Sequence, residues 1–409
     1  MKRAVFYPTH NLLDLQYMLV DSWLNCDANA SYGLSHAVKS RIDKLGIDFH
    51  NPNSIHRGGQ QARSVIESAR TSIAHLINAP SSSRIVFTSG ATEANNTALS
   101  IPVSYSTANR ELVHSAIEHP SVSVYAERLE ARGVRRQVIP VMKNGLIDQD
   151  LLRATVTSAT SMVSIIWANN EIGTVQDISA LTRTIREVAP HTLIHSDAVQ
   201  VLGKHPLDFA ASGLDLLTLS AHKVGGLTGV GALVVGSRVP FEPLLAGGAQ
   251  ELYHRAGTEN VLGIASFGFA AEEIAGTLDS RISAMAQSRH YLYRLLTQAI
   301  PDLHCNTPLD SSLPNTLNVR FAGIRADDLV VAMDRVAIGI SSGAACASGK
   351  PLPSAILMAI GLSPEAARES IRISLRADHS REDLDRLADQ LILAVQWMRT
   401  SQTRCARVG

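Results

Sequence analysis

Short apolar runs alternate with amphipathic segments along residues 81–235 of this chain. Helical periodicity occupies the intervals, for example over 122–132 and 178–188. Apolar strands separated by helices predict a mostly parallel sheet with helices on both faces. The predicted strands cover residues 84–88, 111–117, 134–141, 162–167, 192–196 and 214–219.

A second region follows two long helical segments, at 259–276 and 280–299. After Pro314 the pattern changes to short strands at 316–321, 336–341 and 371–375, with helices at 353–360 and 381–398, which predicts a smaller α+β domain. A length of 409 residues also suggests more than one domain. We therefore predict an N-terminal segment 1–35 that packs on the small domain, a large domain 36–278 and a small domain 279–409.

Composition narrows the class of protein. Apolar residues make up 45% of the chain, enough for a large core, while charged residues make up only 18%, which suggests surface hidden between subunits. The formal net charge of 0 favours neither nucleic acid nor an acidic membrane as a partner. No window approaches a membrane span, and the N-terminus lacks the apolar core of a signal peptide. A cytoplasmic enzyme is therefore expected.

The four cysteines form no CxxC pair, so neither a disulfide framework nor a zinc knuckle is supported. His50 and His56 are separated by Pro52 and do not have metal-ligand spacing on a helix, and we predict no metal site.

Lys223 follows the predicted strand 214–219 and precedes a glycine-rich turn at 225–231. A lysine in such a place is well positioned to have its pKa lowered and to bond covalently to a carbonyl compound such as pyridoxal phosphate. A solvated surface lysine is the commoner alternative. A P-loop is excluded because Lys223 precedes the glycines.

Further candidates follow other strand ends, where ligands bind in parallel sheets. Ala91 and Thr92 open a helix whose N–H groups attract an anion, although a plain helix N-cap is equally compatible. Asp197 can keep a pyridine nitrogen protonated, or can cap a helix. Gln200 can reach the phenolic oxygen of the same ring, or can be an ordinary polar helix residue.

Three more side chains have more than one interpretation. His119, between a strand and a helix, can stack on an aromatic cofactor or be structural. Asn170 can bond to the cofactor's phenolic oxygen or a substrate carboxylate, or can belong to a turn. Arg372, within an apolar strand, needs a carboxylate partner, either an internal Asp or Glu or a substrate.

Cys346 lies in the stretch Ser341-Ser-Gly-Ala-Ala-Cys-Ala-Ser-Gly. Small residues on both sides predict a mobile, exposed loop, which favours a reactive thiol over a buried one. Cys26 is predicted to be a core residue, and Cys305 and Cys405 are predicted in a loop or tail.

Together these segments resemble the cysteine desulfurases of the NifS/IscS type, in the class-V group of fold-type-I pyridoxal phosphate enzymes. The resemblance covers roughly residues 24–395. Its motifs are Asn51-Pro-Asn-Ser-Ile-His56, Thr88-Ser-Gly-Ala-Thr-Glu93, Glu118-His-Pro-Ser-Val122, Asn169-Asn-Glu-Ile-Gly173, His195-Ser-Asp-Ala-Val-Gln200, Ser220-Ala-His-Lys223, Arg255-Ala-Gly-Thr-Glu-Asn260, Ser341-Ser-Gly-Ala-Ala-Cys346 and Arg372-Ile-Ser-Leu375.

The resemblance implies a seven-stranded, mostly parallel sheet and a pyridoxal phosphate site. In that site Lys223 bonds covalently to the cofactor, Asp197 holds its pyridinium and His119 stacks on its ring. Gln200 and Asn170 lie near its phenolic oxygen. The residues implied at the phosphate are Ala91, Thr92, Ser220, His222 and, from the neighbouring subunit of a homodimer, Thr258.

The implied reaction converts L-cysteine to L-alanine. Arg372 binds the substrate carboxylate, and Cys346 receives the sulfur as a persulfide and passes it to a protein acceptor. An aminotransferase or selenocysteine lyase on the same scaffold is the alternative, and a non-catalytic relative is a third. The sequence does not distinguish iron–sulfur assembly, tRNA thiolation, DNA phosphorothioation and thio-cofactor synthesis as the pathway supplied.

The chain also departs from the family pattern. Tyr32 and Gly33 replace the usual Thr and Pro, and we expect them close to the substrate end of the pocket. Leu252 and Tyr253 stand where an arginine and a glycine are usual, and the turn after the lysine carries Leu227-Thr228 instead of Pro-Lys. An N-terminal extension of about 22 residues is extra. These departures concern substrate fit and partner choice.

Overall fold

A computed structural model describes residues 23–45, 50–80, 85–105, 110–343 and 352–408 of the chain. Its strands are β1 (Leu24–Asn25), β2 (Ile85–Thr88), β3 (Glu111–Ser115), β4 (Arg135–Ile139), β5 (Thr160–Ser164), β6 (Leu193–Asp197), β7 (Leu216–Ser220), β8 (Gly231–Val235), β9 (His304–Cys305), β10 (Thr316–Arg320), β11 (Ile338–Gly339) and β12 (Ser370–Ser374). Its helices are α1 (His36–Lys44), α2 (Arg57–Leu76), α3 (Ala91–Tyr105), α4 (Pro120–Glu130), α5 (Gln149–Thr155), α6 (Ile178–Val188), α7 (Phe209–Ser212), α8 (Val261–Ala275), α9 (Leu278–Ala299), α10 (Ala326–Asp334), α11 (Ala355–Ala359), α12 (Pro364–Arg368) and α13 (Arg381–Val408).

A seven-stranded sheet in the order β2-β8-β7-β6-β5-β3-β4 forms the centre of the larger part. Only β8 within this sheet runs antiparallel to its neighbours, β2 and β7, and the other pairs are parallel. The predicted mostly parallel sheet is therefore confirmed. The sequence analysis did not identify β8 as a strand. The link from β7 to β8 is a short turn, too short for a crossover helix, so β8 must return antiparallel.

Helices cover both faces of this sheet, as the apolar pattern predicts. Leu217 packs with α2 and α8 in one core cluster, whereas its neighbour Leu216 packs with α3 and α4 in another. Successive residues of a strand face opposite sides, so a strand that is apolar at every position must be covered twice.

The smaller part has its own core. Antiparallel strands β12-β10-β9 pack with α9, α10 and α13 around Leu317, Leu329 and Ile373. The described beginning of the chain joins this core, because β1 pairs with β11 and Leu24 and Cys26 are buried in the same cluster. Cys26 is a core residue, as predicted. The division at residues 278 and 279 stays a prediction, since Leu313 from beyond it packs in the core cluster of the large part.

Two predicted elements differ in length. The strand expected at 336–341 is reduced to β11, since Ala337 has a left-handed φ of +57° that interrupts extended backbone. The helix expected at 381–398 continues to Val408, because neither glycine nor proline lies between Met398 and Val408 to stop it.

Within the described ranges, no single helix is long and apolar enough to cross a membrane. Helices α8 and α9 reach that length and composition only as a pair, with a bend of 80° between them. Most residues of α8 are buried in the core of the large part.

Candidate active site

A cavity of about 850 Å³ opens at the carboxyl ends of the parallel strands β5, β6 and β7, beside the N-terminal ends of α3 and α4. Its lining includes these residues predicted from the sequence: Ala91, Thr92, His119, Asn170, Asp197, Gln200, Ser220, His222, Lys223 and Arg372. Thr258 is exposed and is not part of that lining. Cys346 lies outside the described residues, although Gly343 and Leu352 on either side of it line the cavity.

Lys223 ends a short 3-10 turn that directly follows β7. Its Nζ donates hydrogen bonds to the carbonyl oxygens of Asn29, at 2.6 Å, and Ala30, at 2.7 Å. Gly225, with φ +100°, starts the return towards β8, a backbone conformation that other residues rarely adopt. The strand end and the turn together place the amine at the cavity wall.

Asp197 is the last residue of β6 and is 4% exposed. Its Oδ1 accepts from the Val199 N–H at 3.0 Å and its Oδ2 from Asn95 Nδ2 at 2.7 Å. Residues 199–204 form turns and no helix, so the alternative of a helix N-cap is not realised. A buried carboxylate at the cavity wall can hold a cationic ring nitrogen.

His119 caps the N-terminus of α4, with its Nδ1 accepting from the Ser121 N–H at 3.1 Å. Burial lowers the pKa of the imidazole, and the positive charge of Lys223 lowers it further, against the opposite effect of Asp197. The ring is therefore neutral near pH 7 and can present an uncharged face to an aromatic ligand.

Gln200 lines the cavity and bonds to two residues that the sequence analysis did not identify. Its Nε2 donates to the Asn29 carbonyl oxygen at 2.9 Å, and its Oε1 accepts from Lys204 Nζ at 2.7 Å. Lys204 is 2% exposed, and burial lowers its pKa well below the ordinary value, with repulsion from Lys223 and Arg372 adding to the effect.

Asn29 is fully enclosed and joins the two cores. Its carbonyl oxygen accepts from both Gln200 and Lys223, while its own N–H donates to Ser374 Oγ in β12 at 2.9 Å. The bonds of its side chain are Nδ2 to the Asn170 carbonyl oxygen (3.1 Å), Nδ2 to Thr316 Oγ1 (2.8 Å), Lys204 Nζ to Oδ1 (3.2 Å) and Asn315 Nδ2 to Oδ1 (3.0 Å).

Arg372 in β12 has an internal carboxylate partner, one of the two alternatives left open by the sequence. Its Nη2 donates to Asp27 Oδ1 at 2.6 Å and its Nη1 to the Asn170 carbonyl oxygen at 3.2 Å. The guanidinium also lines the cavity, and its buried Nε has no hydrogen-bond partner among the described residues. One donor therefore stays available for a ligand.

The corner before α3 is shaped by a close approach of β8. A Cβ atom on Gly231 would lie 2.6 Å from the Gly90 carbonyl carbon and 2.8 Å from the Ala91 nitrogen, so only glycine fits. The helix N-terminus that begins at Ala91 directs N–H groups and a positive dipole end at the cavity. Such a corner attracts an anion.

Four buried polar atoms in the cavity lining have no partner in the described part of the chain: Ser220 Oγ, Asn170 Oδ1, Arg372 Nε and Glu118 Oε2. Buried polar groups are normally hydrogen-bonded, so orphans gathered in one cavity indicate a ligand. The first three belong to residues expected at the phosphate, the phenolic oxygen and the substrate carboxylate. With the amine of Lys223 and the carboxylate of Asp197, this lining fits pyridoxal phosphate.

Glu118 carries the fourth of these unpartnered atoms, Oε2. The sequence analysis did not identify it as a site residue, although it lies within a recognised motif. Burial, together with the negative charge of Asp197, raises its pKa to about 8 against the opposite effect of its hydrogen bonds to Ser115 and Ile166. Its Oε1 accepts from the Ile166 N–H at 2.6 Å and from Ser115 Oγ at 2.5 Å. Asn29 also lies within a segment that resembles the family. Lys204 lies four residues after Gln200, which is the spacing of one helical turn. The sequence analysis used neither of these two indications.

Tyr32 and Gly33 do not line the cavity themselves, although the Tyr32 N–H donates to the carbonyl oxygen of His222, which does, at 3.1 Å. The Tyr32 ring lies between Arg281 and Arg376, whose guanidinium carbons are 5.3 and 5.0 Å from the ring centroid. Its hydroxyl accepts from the Ala377 N–H at 3.3 Å. Because two cations attract the ring face, the side chain turns towards the small domain, away from the cavity.

Leu252 and Tyr253 form a left-handed turn, with φ values of +54° and +65°, and both side chains are exposed. A glycine, usual in the family at 253, would adopt this conformation without strain. Here the preceding Glu251 is buried and fixed by Arg70, whose Nη1 and Nη2 both donate to its carboxylate at 2.9 Å. This ion pair holds the turn in place.

A comparison with models of protein families identifies the class of protein to which this fold and this cavity belong. The family model for class-V aminotransferases matches residues 27–387. The chain belongs to this family, whose members use pyridoxal phosphate.

Curated relatives and solved structures narrow the comparison. The chain is 38% identical over 353 residues to the cysteine desulfurase IscS of Dictyoglomus turgidum, covering 86% of this chain and 89% of that protein. It is 38% identical over 376 residues to a cysteine desulfurase of Cereibacter sphaeroides, covering 91% and 96%. A solved NifS-like protein superposes with a TM-score of 0.86 at 32% identity, covering 92% of this chain and 100% of that one.

Proposed function

We propose that the chain is a pyridoxal phosphate-dependent cysteine desulfurase that converts L-cysteine to L-alanine and leaves the sulfur on Cys346. The observation that carries this proposal is the meeting of Lys223, Asp197, His119 and Arg372 in one cavity. The names of the relatives, cysteine desulfurases at similar length, support it.

The bound cofactor would supply an electron-withdrawing ring that stabilises negative charge at the substrate Cα. Lys223 attaches the cofactor and, once released, its amine accepts the Cα proton. Asp197 keeps the ring nitrogen cationic, and His119 stacks on the ring. The phosphate is bound by Ala91, Thr92, Ser220 and His222, and the phenolic oxygen by Gln200 and Asn170.

Arg372 would bind the substrate carboxylate through its unpartnered Nε. Asp27 and the Asn170 carbonyl oxygen hold the guanidinium on its other side, so it needs little reorganisation on binding. Asp27 supplies one negative charge to the guanidinium of Arg372, and the substrate carboxylate would supply a second.

Cys346 would receive the sulfur. Its thiolate attacks the substrate sulfur, a sulfur–sulfur bond forms, and the substrate carbon–sulfur bond breaks with its electron pair passing to the carbon fragment. That fragment, protonated, leaves as alanine. The persulfide then passes its outer sulfur to a protein acceptor. The position of Gly343 and Leu352 in the cavity lining supports this assignment.

We also propose a homodimer in which Thr258 reaches the phosphate of the neighbouring subunit, and a cytoplasmic location. The exposure of Thr258 outside its own cavity supports the first part. The low share of charged residues, 18%, is consistent with surface covered by a second copy.

The test compares the wild type with three variants of the full chain loaded with pyridoxal phosphate. Cys346→Ser should keep the visible absorbance of the cofactor but form no persulfide from cysteine, whereas the half-buried Cys305→Ser serves as the matched control and should behave as wild type. Lys223→Ala should lose the absorbance of the covalently bound cofactor.

Full turnover by Cys346→Ser would refute the assignment of the sulfur acceptor. Production of a keto acid in place of alanine by the wild type would show an aminotransferase. Persistence of the cofactor absorbance in Lys223→Ala would mean that another lysine bonds to the cofactor.

A further inference from the structure

A chain of hydrogen bonds links Asp197 to His119. Asn95 Nδ2 donates both to Asp197 Oδ2 at 2.7 Å and to Ser121 Oγ at 2.8 Å, and Ser121 Oγ lies 2.8 Å from His119 Nδ1. Asn95 is completely buried, and Ser121 and Asp197 are 8% and 4% exposed. Neither Asn95 nor Ser121 has a role in the proposed reaction so far.

The direction of each bond is determined by the chemistry of the partners. An ionised Asp197 carboxylate only accepts, so the amide nitrogen of Asn95 must face it. That same nitrogen occupies the acceptor side of Ser121 Oγ. Ser121 Oγ keeps a second lone pair, but His119 Nδ1 already accepts from the Ser121 backbone N–H, so the hydroxyl hydrogen of Ser121 must donate towards Nδ1.

A second donor points at the same ring atom. The Ser121 backbone N–H donates to His119 Nδ1 at 3.1 Å as part of the N-terminal cap of α4. An Nδ1 that receives two donors cannot carry a hydrogen itself. Since the buried ring is neutral, its one hydrogen must be on Nε2, on the opposite side of the imidazole.

We propose that Asn95 and Ser121 are positioning residues that hold His119 as the Nε2–H tautomer, so that its Nε2 can donate a hydrogen bond and cannot accept a proton. This inference rests on the proposed function and deepens it: removal of the Cα proton is left to Lys223. It also makes the imidazole orientation depend on Asp197, the carboxylate assigned to the ring nitrogen, through a single bridging amide.

The tautomer can be measured directly. The full chain, labelled with ¹⁵N in its histidines and loaded with pyridoxal phosphate, is studied by long-range ¹H–¹⁵N correlation, and His119 is assigned by its loss in His119→Gln. We expect an unprotonated Nδ1 and a protonated Nε2. A protonated Nδ1 in the wild type would overturn the proposal, whether or not the protein makes alanine.

Adjacent asparagines provide a matched pair of variants. Asn95→Ala removes the bridge to the Ser121 hydroxyl, whereas Asn96→Ala removes a bond of 2.8 Å to the Ser121 carbonyl oxygen from the same helix. In Asn95→Ala and in Ser121→Ala we expect the tautomer ratio to move towards Nδ1–H by about tenfold, the effect of one lost hydrogen bond. In Asn96→Ala it should stay at the wild-type ratio.

Two further readouts separate this role from a general loss of structure. Far-UV circular dichroism and cofactor absorbance show whether each variant is folded and loaded. The pH profile of alanine formation should change in Asn95→Ala and Ser121→Ala and not in Asn96→Ala. An unchanged tautomer ratio in folded Asn95→Ala and Ser121→Ala proteins would refute the positioning role. Absence of desulfurase activity in the wild type would refute only the proposed reaction.

Discussion

Replacing Asn29 with alanine should destabilise the protein by several kcal/mol without touching the reacting groups. The substitution deletes four side-chain hydrogen bonds and keeps the three made by the Asn29 backbone. The deleted bonds connect the large part to β10 and to the residue just before it. Their removal therefore weakens the contact between the two cores.

The size of the effect follows from what each former partner retains. Thr316 still donates to Asn315, which still donates to the Leu375 carbonyl oxygen, and Lys204 still donates to Gln200. No partner loses its last bond, so each deletion costs about 1 kcal/mol rather than the larger penalty of an orphaned group. The sum is about 4 kcal/mol, a large share of a typical folding stability.

The assay is urea unfolding of the cofactor-free chain, followed by far-UV circular dichroism. Asn53→Ala is the control, since that exposed asparagine accepts one bond from Arg63 at 2.9 Å, and its loss should cost under about 0.5 kcal/mol. A loss below about 1 kcal/mol for Asn29→Ala would show that this residue does not join the two cores.

Gly231→Ala should weaken pyridoxal phosphate binding at least about tenfold, since its Cβ would displace the Ala91 nitrogen. Absorbance titration measures this, and Gly276→Ala, whose Cβ would be 3.9 Å from its nearest neighbour, should bind as wild type. The stability of Lys204→Met relative to the wild type should fall as the pH rises from 7 towards 10. Burial lowers the pKa of Lys204 in the folded chain well below its ordinary value of about 10, so the wild type alone gains stability over this range. The lost bonds to Gln200 and Asn29 add a cost that does not depend on pH. Urea unfolding measures the difference, and a difference that stays constant with pH would contradict the lowered pKa.

Local pattern was sufficient for much of this molecule. Apolar runs bounded by turns located β2 to β7 within a few residues, and the rule that ligands bind beyond parallel strand ends brought Asp197 and Lys223 to one cavity. Strand β8 was not predicted, because its first residue belongs to a glycine-rich turn and the turn was interpreted without the strand that follows it.

Contacts between distant residues were not predictable in the same way. Asn29 and Lys204 are separated by 175 positions, and nothing in either neighbourhood shows that they meet. The direction of the Tyr32 side chain was not predictable from its family position, because the two arginines that attract this ring come from α9 and from beyond β12. Composition and periodicity predict which face of a helix or strand is buried. They do not predict which side chains form contacts between the two parts of the molecule.

The left-handed turn at Leu252 and Tyr253 has a consequence for assembly. Its two exposed side chains project just ahead of the segment that carries Thr258, and their direction is set from below by Arg70 and Glu251. In the proposed homodimer, the interior Arg70 of one protomer would thus govern the contour offered to the neighbouring copy. Loss of Arg70 should then weaken that self-association, far from where the mutation lies.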